Sequence, residues 1–215
     1  MNIIEREIVF AGSELILNNQ RVLFWKEKAL LVLSDLHLGK ASHFRKNGIA
    51  LPTEIATKDL QRLEKLIAYY NAKKILIVGD LIHAGNNKEV SDFKNFTTRF
   101  DDVDFILIKG NHDRISEKKL QEIGIPYVYD SLRIEHITFS HQSNPESNIF
   151  EITGHTHPGV RLKMPTRGYI KLPCFVVTDK SLILPAFSHF TGLNTSSFSE
   201  KAVYYAFSDD GIFKI

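Results

Sequence analysis

Apolar residues fall in short blocks along most of this chain, and what closes each block changes from place to place. Near the start, Ile8-Val9-Phe10, Leu15-Ile16-Leu17, Val22-Leu23-Phe24-Trp25 and Ala29–Leu33 are separated by Ala11-Gly12-Ser13, Asn18-Asn19-Gln20 and Lys26-Glu27-Lys28. Short apolar runs between turn-forming residues predict strands. From about Thr53 to Asn71 the period changes: Leu60, Leu63, Ile67 and Tyr70 recur at helical spacing. That predicts an amphipathic helix whose acids and bases form a solvated face. Lys74–Val78 predicts a second buried strand. A helix follows over roughly 88–100, on Val90, Phe93, Phe96 and Phe100, and then a third strand over Asp104–Ile108. A short helix is expected from an N-cap at Ser116 to a stop at Gly124. Strand and helix in alternation predict a parallel α/β layer.

The second half loses the helical period. Strand-like pieces are Tyr127–Tyr129, Leu132–Ile134, Ile137–Phe139, Asn148–Ile152, Tyr169–Leu172, Cys174–Val177 and Ser181–Leu184. A closing hairpin joins Val203–Phe207 to Ile212–Lys214 through the turn Asp209-Asp210-Gly211. The pieces predict two sheets face to face with helices outside. No repeat or linker marks a boundary, so the expectation is one domain over 1–215.

Composition narrows the function classes. Lys and Arg number 27 against 25 Asp and Glu, a formal charge of +2, so no global basic field announces a nucleic-acid binder. The single cysteine, Cys174, excludes an internal disulfide framework and reads as a small buried apolar residue. Glu5 and Glu7 stand where a signal peptide needs a basic patch, and no apolar run approaches a membrane span. The expected setting is cytoplasmic, with no membrane contact.

The chemistry lies at the ends of the blocks. Five apolar runs close on metal-ligand residue types: Asp35/His37, Asp80, Asn111/His112, His141 and His155/His157. On extended chain, Asp35 and His37 leave the same side of a strand end. Ligands gathered at the carboxyl ends of strands lie where α/β sheets place their sites. Carboxylate, amide and imidazole without thiolate suit Mn²⁺, Fe or Zn²⁺ and exclude a cysteine-type zinc centre. Seven ligands exceed one ion with an open position but suffice for two ions sharing a carboxylate. Gly39, Gly79, Gly110 and Gly154 sit beside these residues, where the chain must turn sharply.

Asp35-x-His37, Gly79-Asp80, Gly110-Asn111-His112-Asp113, His141 and Gly154-His155-x-His157 together resemble the five signatures of the calcineurin-like metallophosphoesterase superfamily. The resemblance implies a four-layer αββα sandwich of mixed sheets around two divalent metal ions. It implies that Asp35, His37, Asp80 and His157 hold one ion. Asp80 as bridge, with Asn111, His141 and His155, would hold the other. His112 resembles the family's catalytic histidine and Asp113 the carboxylate that orients it. Water held between two cations ionises near neutral pH and attacks phosphorus, and His112 protonates the leaving oxygen.

A narrower likeness concerns the substrate. Asp35–Lys40 with Ala41–Pro52, Leu172–Phe175, Leu184–Phe187 and Phe190–Gly192 is similar to the bacterial ligase-associated DNA damage response endonucleases. It implies a Mn²⁺-dependent DNA phosphodiesterase acting on single strands or ends, partnered with a ligase and a helicase in DNA repair. Gly79–His83 also resembles the same stretch of double-strand-break repair nucleases, which makes His83 a further catalytic candidate. Lys40, His43, Arg45 and Lys46, and Arg161, Lys163 and Arg167, are candidates for backbone phosphates. Two other readings stand beside this one. One is a phosphatase or pyrophosphatase for a nucleotide or lipid-sugar precursor, which a deep closed pocket would favour. The other is a catalytically silent repair scaffold.

Overall fold

The structure is a computed structural model. It describes the chain apart from residues 53, 84–86, 145–147, 166–167, 197 and 199–200. The first sheet has seven strands in chain order: β1 (Glu5–Phe10), β2 (Ser13–Asn18), β3 (Leu23–Trp25), β4 (Leu30–Leu33), β5 (Lys74–Val78), β6 (Asp104–Ile108) and β7 (Tyr127–Tyr129). β1 to β4 pair antiparallel and β4 to β7 parallel. The parallel connections carry α1 (Lys40–Lys46), α2 (Ile55–Tyr70), α3 (Lys88–Thr97) and α4 (Glu117–Glu122). Parallel strands require such crossovers. Ile77 pairs with Leu33 on one side and Leu107 on the other, so the three central strands end level.

The second sheet contains β8 (Ser131–Ile134), β9 (Ile137–Ser140), β10 (Phe150–Thr153), β11 (Gly159–Lys163), β12 (Tyr169–Val177), β13 (Ser181–Ile183), β14 (Val203–Ser208) and β15 (Gly211–Lys214). Its order is β15-β14-β12-β13-β10-β9-β8, with β11 paired to β12. β9, β10 and β13 run parallel, so the chain leaves β9 and β10 at one edge.

Side-chain alternation divides the core into layers. Leu31, Leu33, Ile75 and Ile77 pack on Leu63, Leu66, Phe93 and Phe96 of α2 and α3. Their neighbours Leu30, Val32, Leu76 and Val78 face Phe139, Ile152, Phe175 and Phe207 of the second sheet. Beyond that sheet lies a small cluster of Cys174, Val176, Ile183 and Ala206, with Phe198 and Ala202 against it. The result is the mixed two-sheet α/β sandwich of the metallophosphoesterase type. Its helices lie on the first sheet; among the described residues none follows α4, and irregular chain backs the second sheet. No helix among the described residues is long and apolar enough to cross a membrane.

Three expectations need correction. The charged face of α2 is not all solvated: Asp59 and Arg62 are 3% and 8% exposed. Their ion pair (3.0 Å) meets the 186–188 segment, where Arg62 donates to the Phe187 carbonyl and Arg21 to those of Ala186 and Ser188. The pieces 169–172 and 174–177 are one strand, because Pro173 sits where β12 leaves β11 for the body of the sheet. Its partner β11 is a strand where the sequence shows only a cationic stretch. The expected start of α2 at Thr53 lies outside the described residues.

Candidate metal centre

The loops after β4, β5 and β6 leave one edge of the first sheet, and those after β9 and β10 meet them from the second. Main-chain bonds lock the first two loops side by side. Asp35 N–H donates to Gly79 O, His37 N–H to Asp80 O and His83 N–H to Leu38 O. The second sheet closes from above: His155 N–H donates to Asp35 Oδ2 (3.0 Å), and Phe187 N–H to Ser34 O.

These loops bring six ligand-type side chains into two groups, Asp35–His37–His157 and Asp80–His141–His155. In the first, His157 Nε2 lies 3.2 Å from both His37 Nε2 and Asp35 Oδ1. In the second, His141 Nε2 lies 3.2 Å from His155 Nδ1, 3.4 Å from Asp80 Oδ2 and 3.2 Å from Asn111 Oδ1. Donor atoms bound at about 2.1 Å to one cation stand roughly 3.0–3.4 Å apart. The observed separations therefore fit metal coordination, and so does the chemistry of the donors. Asp35 Oδ1 is wholly buried and has no hydrogen-bond partner, a costly state that a cation relieves. His141 Nδ1 faces the Val78 carbonyl at 3.0 Å, which can only accept, so Nδ1 carries the proton and Nε2 presents its lone pair.

The backbone achieves this by strain rather than by extended geometry. Asp35, His37, Asp80, His155 and His157 all have positive φ, between 47° and 66°. Asp35 and His37 therefore do not project together from a strand end; each sits in a separate left-handed turn. Such conformations cost on the order of 1–2 kcal/mol per residue and gather at sites where surrounding structure enforces them. Glycine is required where loops touch ligands. A Cβ on Gly154 would lie 1.7 Å from Ser34 Oγ and 2.9 Å from Asp35 Oδ2.

Burial and charge set the protonation states. Burial pushes His37 down to about 3, helped by the Lys40 ammonium, which keeps the ring neutral for ligation. Burial and neighbouring His141 also lower His155. Burial would raise Asp35, but the adjacent His157 ring and the Ser34 hydroxyl bound to Oδ2 outweigh it and hold the carboxylate ionised. Burial would raise the Asp80 carboxyl as well, but the adjacent His141 ring and the bond from the His112 N–H outweigh it and hold it well below its usual range.

A family model for calcineurin-like phosphoesterases matches residues 29–177. The chain belongs to the calcineurin-like phosphoesterase family. It is a metal-dependent phosphoesterase. Among solved structures it is similar to the Pseudomonas putida nuclease MPE, 25% identical over 99% of this chain and 100% of that one, with a TM-score of 0.84. Weaker likenesses are a protein of unknown function, AQ665, from Aquifex aeolicus and Yfce, a phosphoesterase from E. coli. The first is 22% identical over 60% of this chain and 78% of that one, with a TM-score of 0.44. The second is 17% identical over 82% of this chain and 87% of that one, also with a TM-score of 0.44. No curated protein matches.

Around the phosphoesterase's two donor groups, the other candidates divide. His112 stands on the rim, its side chain 39% exposed and Nε2 4.0 Å from Asp80 Oδ2. The His83 ring lies 4.6 Å from that of His112 and 5.6 Å from that of His37, so it borders the site. Asp113 does not bond the His112 ring. Its oxygens accept from Ile82 N–H (2.8 Å) and Gly110 N–H (2.9 Å), so the carboxylate stitches the second and third loops together. Lys40 is half-buried and close enough to Asp35 and Asp80 for their charges to act on it. Arg45 is engaged elsewhere, donating to Glu89, Ser42 and the Pro52 carbonyl. His43 and Lys46 on α1 and Arg161 and Lys163 on β11 are exposed; Arg167 lies outside the described residues.

Glu89 escaped the sequence reading. Buried on α3, it accepts from Gly39 N–H and Ser42 Oγ, both at 2.6 Å, and pins the start of α1 just beyond His37. Only its place in the first turn of a helix hinted at a role.

Proposed function

We propose that this phosphoesterase hydrolyses DNA phosphodiesters, on single strands or at ends, and serves DNA repair. The observation that carries the reading is the pair of convergent donor groups in a chain whose whole length resembles a nuclease. Asp35, His37 and His157, with Asp80 shared, would hold one divalent cation. Asp80, Asn111, His141 and His155 would hold the other, and Mn²⁺ is the expected ion. When bound, the ions supply an activated water and neutralise charge on the phosphoryl oxygens. His112 Nε2 donates a proton to the departing sugar oxygen from its exposed position on the rim. His83 packs on the His112 ring and limits its rotation. Asp113 acts through the backbone, keeping the Asn111–His112 turn against Asp80.

An open site supports a polymeric substrate. The donor groups are not enclosed: His155 is exposed and the His112 side chain is 39% exposed at the rim. A small nucleotide would favour an enclosed pocket.

The test measures bis-p-nitrophenyl phosphate, p-nitrophenyl phosphate and labelled single-stranded DNA with Mn²⁺ and with EDTA. Metal-dependent hydrolysis of the diester and the DNA is expected. His112→Ala should lose turnover of about 10²-fold or more while still binding two ions. Activity on the monoester alone would refute the reading.

A further inference from the structure

We propose that the β11–β12 hairpin is a grip for single-stranded nucleic acid, in which cationic side chains hold phosphates and Tyr169 stacks on an unpaired base. This rests on the DNA reading above and adds the element that binds the strand. Residues 158–173 contain Arg161, Lys163, Arg167 and Lys171 and no acid, in a chain whose charges otherwise nearly balance. Strand pairing sorts these residues. Arg161 lies opposite Lys171 and Lys163 opposite Tyr169, so all four project from one face. The alternate residues Val160 and Leu172 pack on the Cys174–Val176–Ala206 cluster, which turns the cationic face outward. Lys163 and Lys171 are exposed and have no ion-pair partner among the described residues.

Tyr169 supplies the second observation. The residue is 57% exposed, in a hairpin that also exposes Met164. The Arg161 guanidinium lies 3.8 Å from the ring centroid and covers one face. Among the described residues no ring or cation covers the other face, which is then open to a base, and a cation on the far side fixes the ring. Cationic groups interleaved with an exposed aromatic are what sequence-tolerant single-strand binding requires. The base of the hairpin is tied to the metal loop: Asn194 N–H donates to His157 O and Gly159 N–H to Asn194 O. Arg161 is the fourth residue after His157, so their Cα atoms lie no more than about 14 Å apart. A strand held on this face can pass the metals without leaving the protein.

The experiment uses the full chain with Mn²⁺. Binding of a labelled single-stranded oligonucleotide is followed by anisotropy over a salt series, in a His112→Ala background that slows cleavage. Hydrolysis of bis-p-nitrophenyl phosphate is measured with His112 intact. Tyr169→Leu is expected to weaken binding between about fivefold and a hundredfold. Lys171→Gln should reduce the slope of log affinity against log salt by about 0.7, one phosphate contact on a single strand. Both variants should hydrolyse the small diester like the parent, which also shows that they fold. Parental affinity and slope in both variants, with DNA still cut by the unmodified protein, would overturn the grip alone. An unmodified protein that cleaves the diester but neither binds nor cuts DNA would overturn the function it rests on.

Discussion

Replacing Gly79 by alanine tests whether the loop geometry holds the second ion. Gly79 has φ +82°, and a Cβ there would lie 2.0 Å from His141 Nδ1 and 2.3 Å from its Cγ. Real Cβ atoms do not approach closer than 3.0 Å, so the imidazole must retreat by at least about 1 Å. That retreat breaks the 3.0 Å contact to the Val78 carbonyl and draws Nε2 away from Asp80, Asn111 and His155. The left-handed alanine costs about 1–2 kcal/mol, the lost hydrogen bond about 1 kcal/mol and the overpacking about 1–3 kcal/mol. Together they come to roughly 3–6 kcal/mol. Gly12→Ala is the control, because Gly12 has φ +79° and nothing within 4 Å of its Cβ position. It should lose only the conformational cost, and the difference between the variants isolates the clash. Urea unfolding measures both, and metal analysis after desalting counts ions. Gly79→Ala should retain the ion of the Asp35–His37–His157 group, lose the other, and fall about 10²-fold in diester turnover, as a misplacement of about 1 Å warrants. Two bound ions with parental turnover would refute the argument.

Other consequences are as direct. Chelation should lower the melting temperature: an ion at a hundredfold excess over its Kd contributes about 2.7 kcal/mol, roughly 5–11 °C in a chain of this size, and Mn²⁺ should restore it in differential scanning fluorimetry. In the metal-free protein, His37 is held down at about 3 against a usual value of 6.5. Its contribution to stability is therefore complete above pH 6.5 and is lost as pH falls toward 3, because the unfolded chain takes up the proton first. The slope contributed is up to about 1.4 kcal/mol per pH unit, and urea unfolding of His37→Gln between pH 7 and 5 should show it flattened. Arg62→Ala leaves Asp59 buried without its 3.0 Å partner and should cost about 3–5 kcal/mol in urea, more than the double variant Asp59→Leu/Arg62→Leu.

Much of the first sheet was legible because its central strands, β4, β5 and β6, are buried on both faces. Lys74–Val78, Asp104–Ile108 and Tyr127–Tyr129 are strands over the expected residues. Unbroken apolar runs with polar closures leave few alternatives. The caps were legible for a local reason, since Ser116 bonds Lys119 N–H three residues on. Long-range partners were not. Asp59 and Arg62 sit at i and i+3 on a charged helix face, and nothing nearby in sequence shows that residues 186–188 fold over them. β11 was missed for want of signal, because Val160 and Leu162 are its only two apolar residues.

The metal centre divides along the same line. Which residues could supply it was readable, since each ligand type sits at the end of an apolar block. How they are aimed was not, because aim depends on contacts from the other sheet. Asp35 illustrates this: alone, an aspartate two residues after a strand has no reason to adopt φ 56°. It does so because Gly79 O takes its N–H, His155 N–H binds its Oδ2 and Ser188 N–H binds its carbonyl. Each of these partners lies on a different segment, so the turn forms only when both sheets are together. The site is thus a product of sandwich assembly, and its strained turns oppose folding until that assembly, and then the cations, compensate for them.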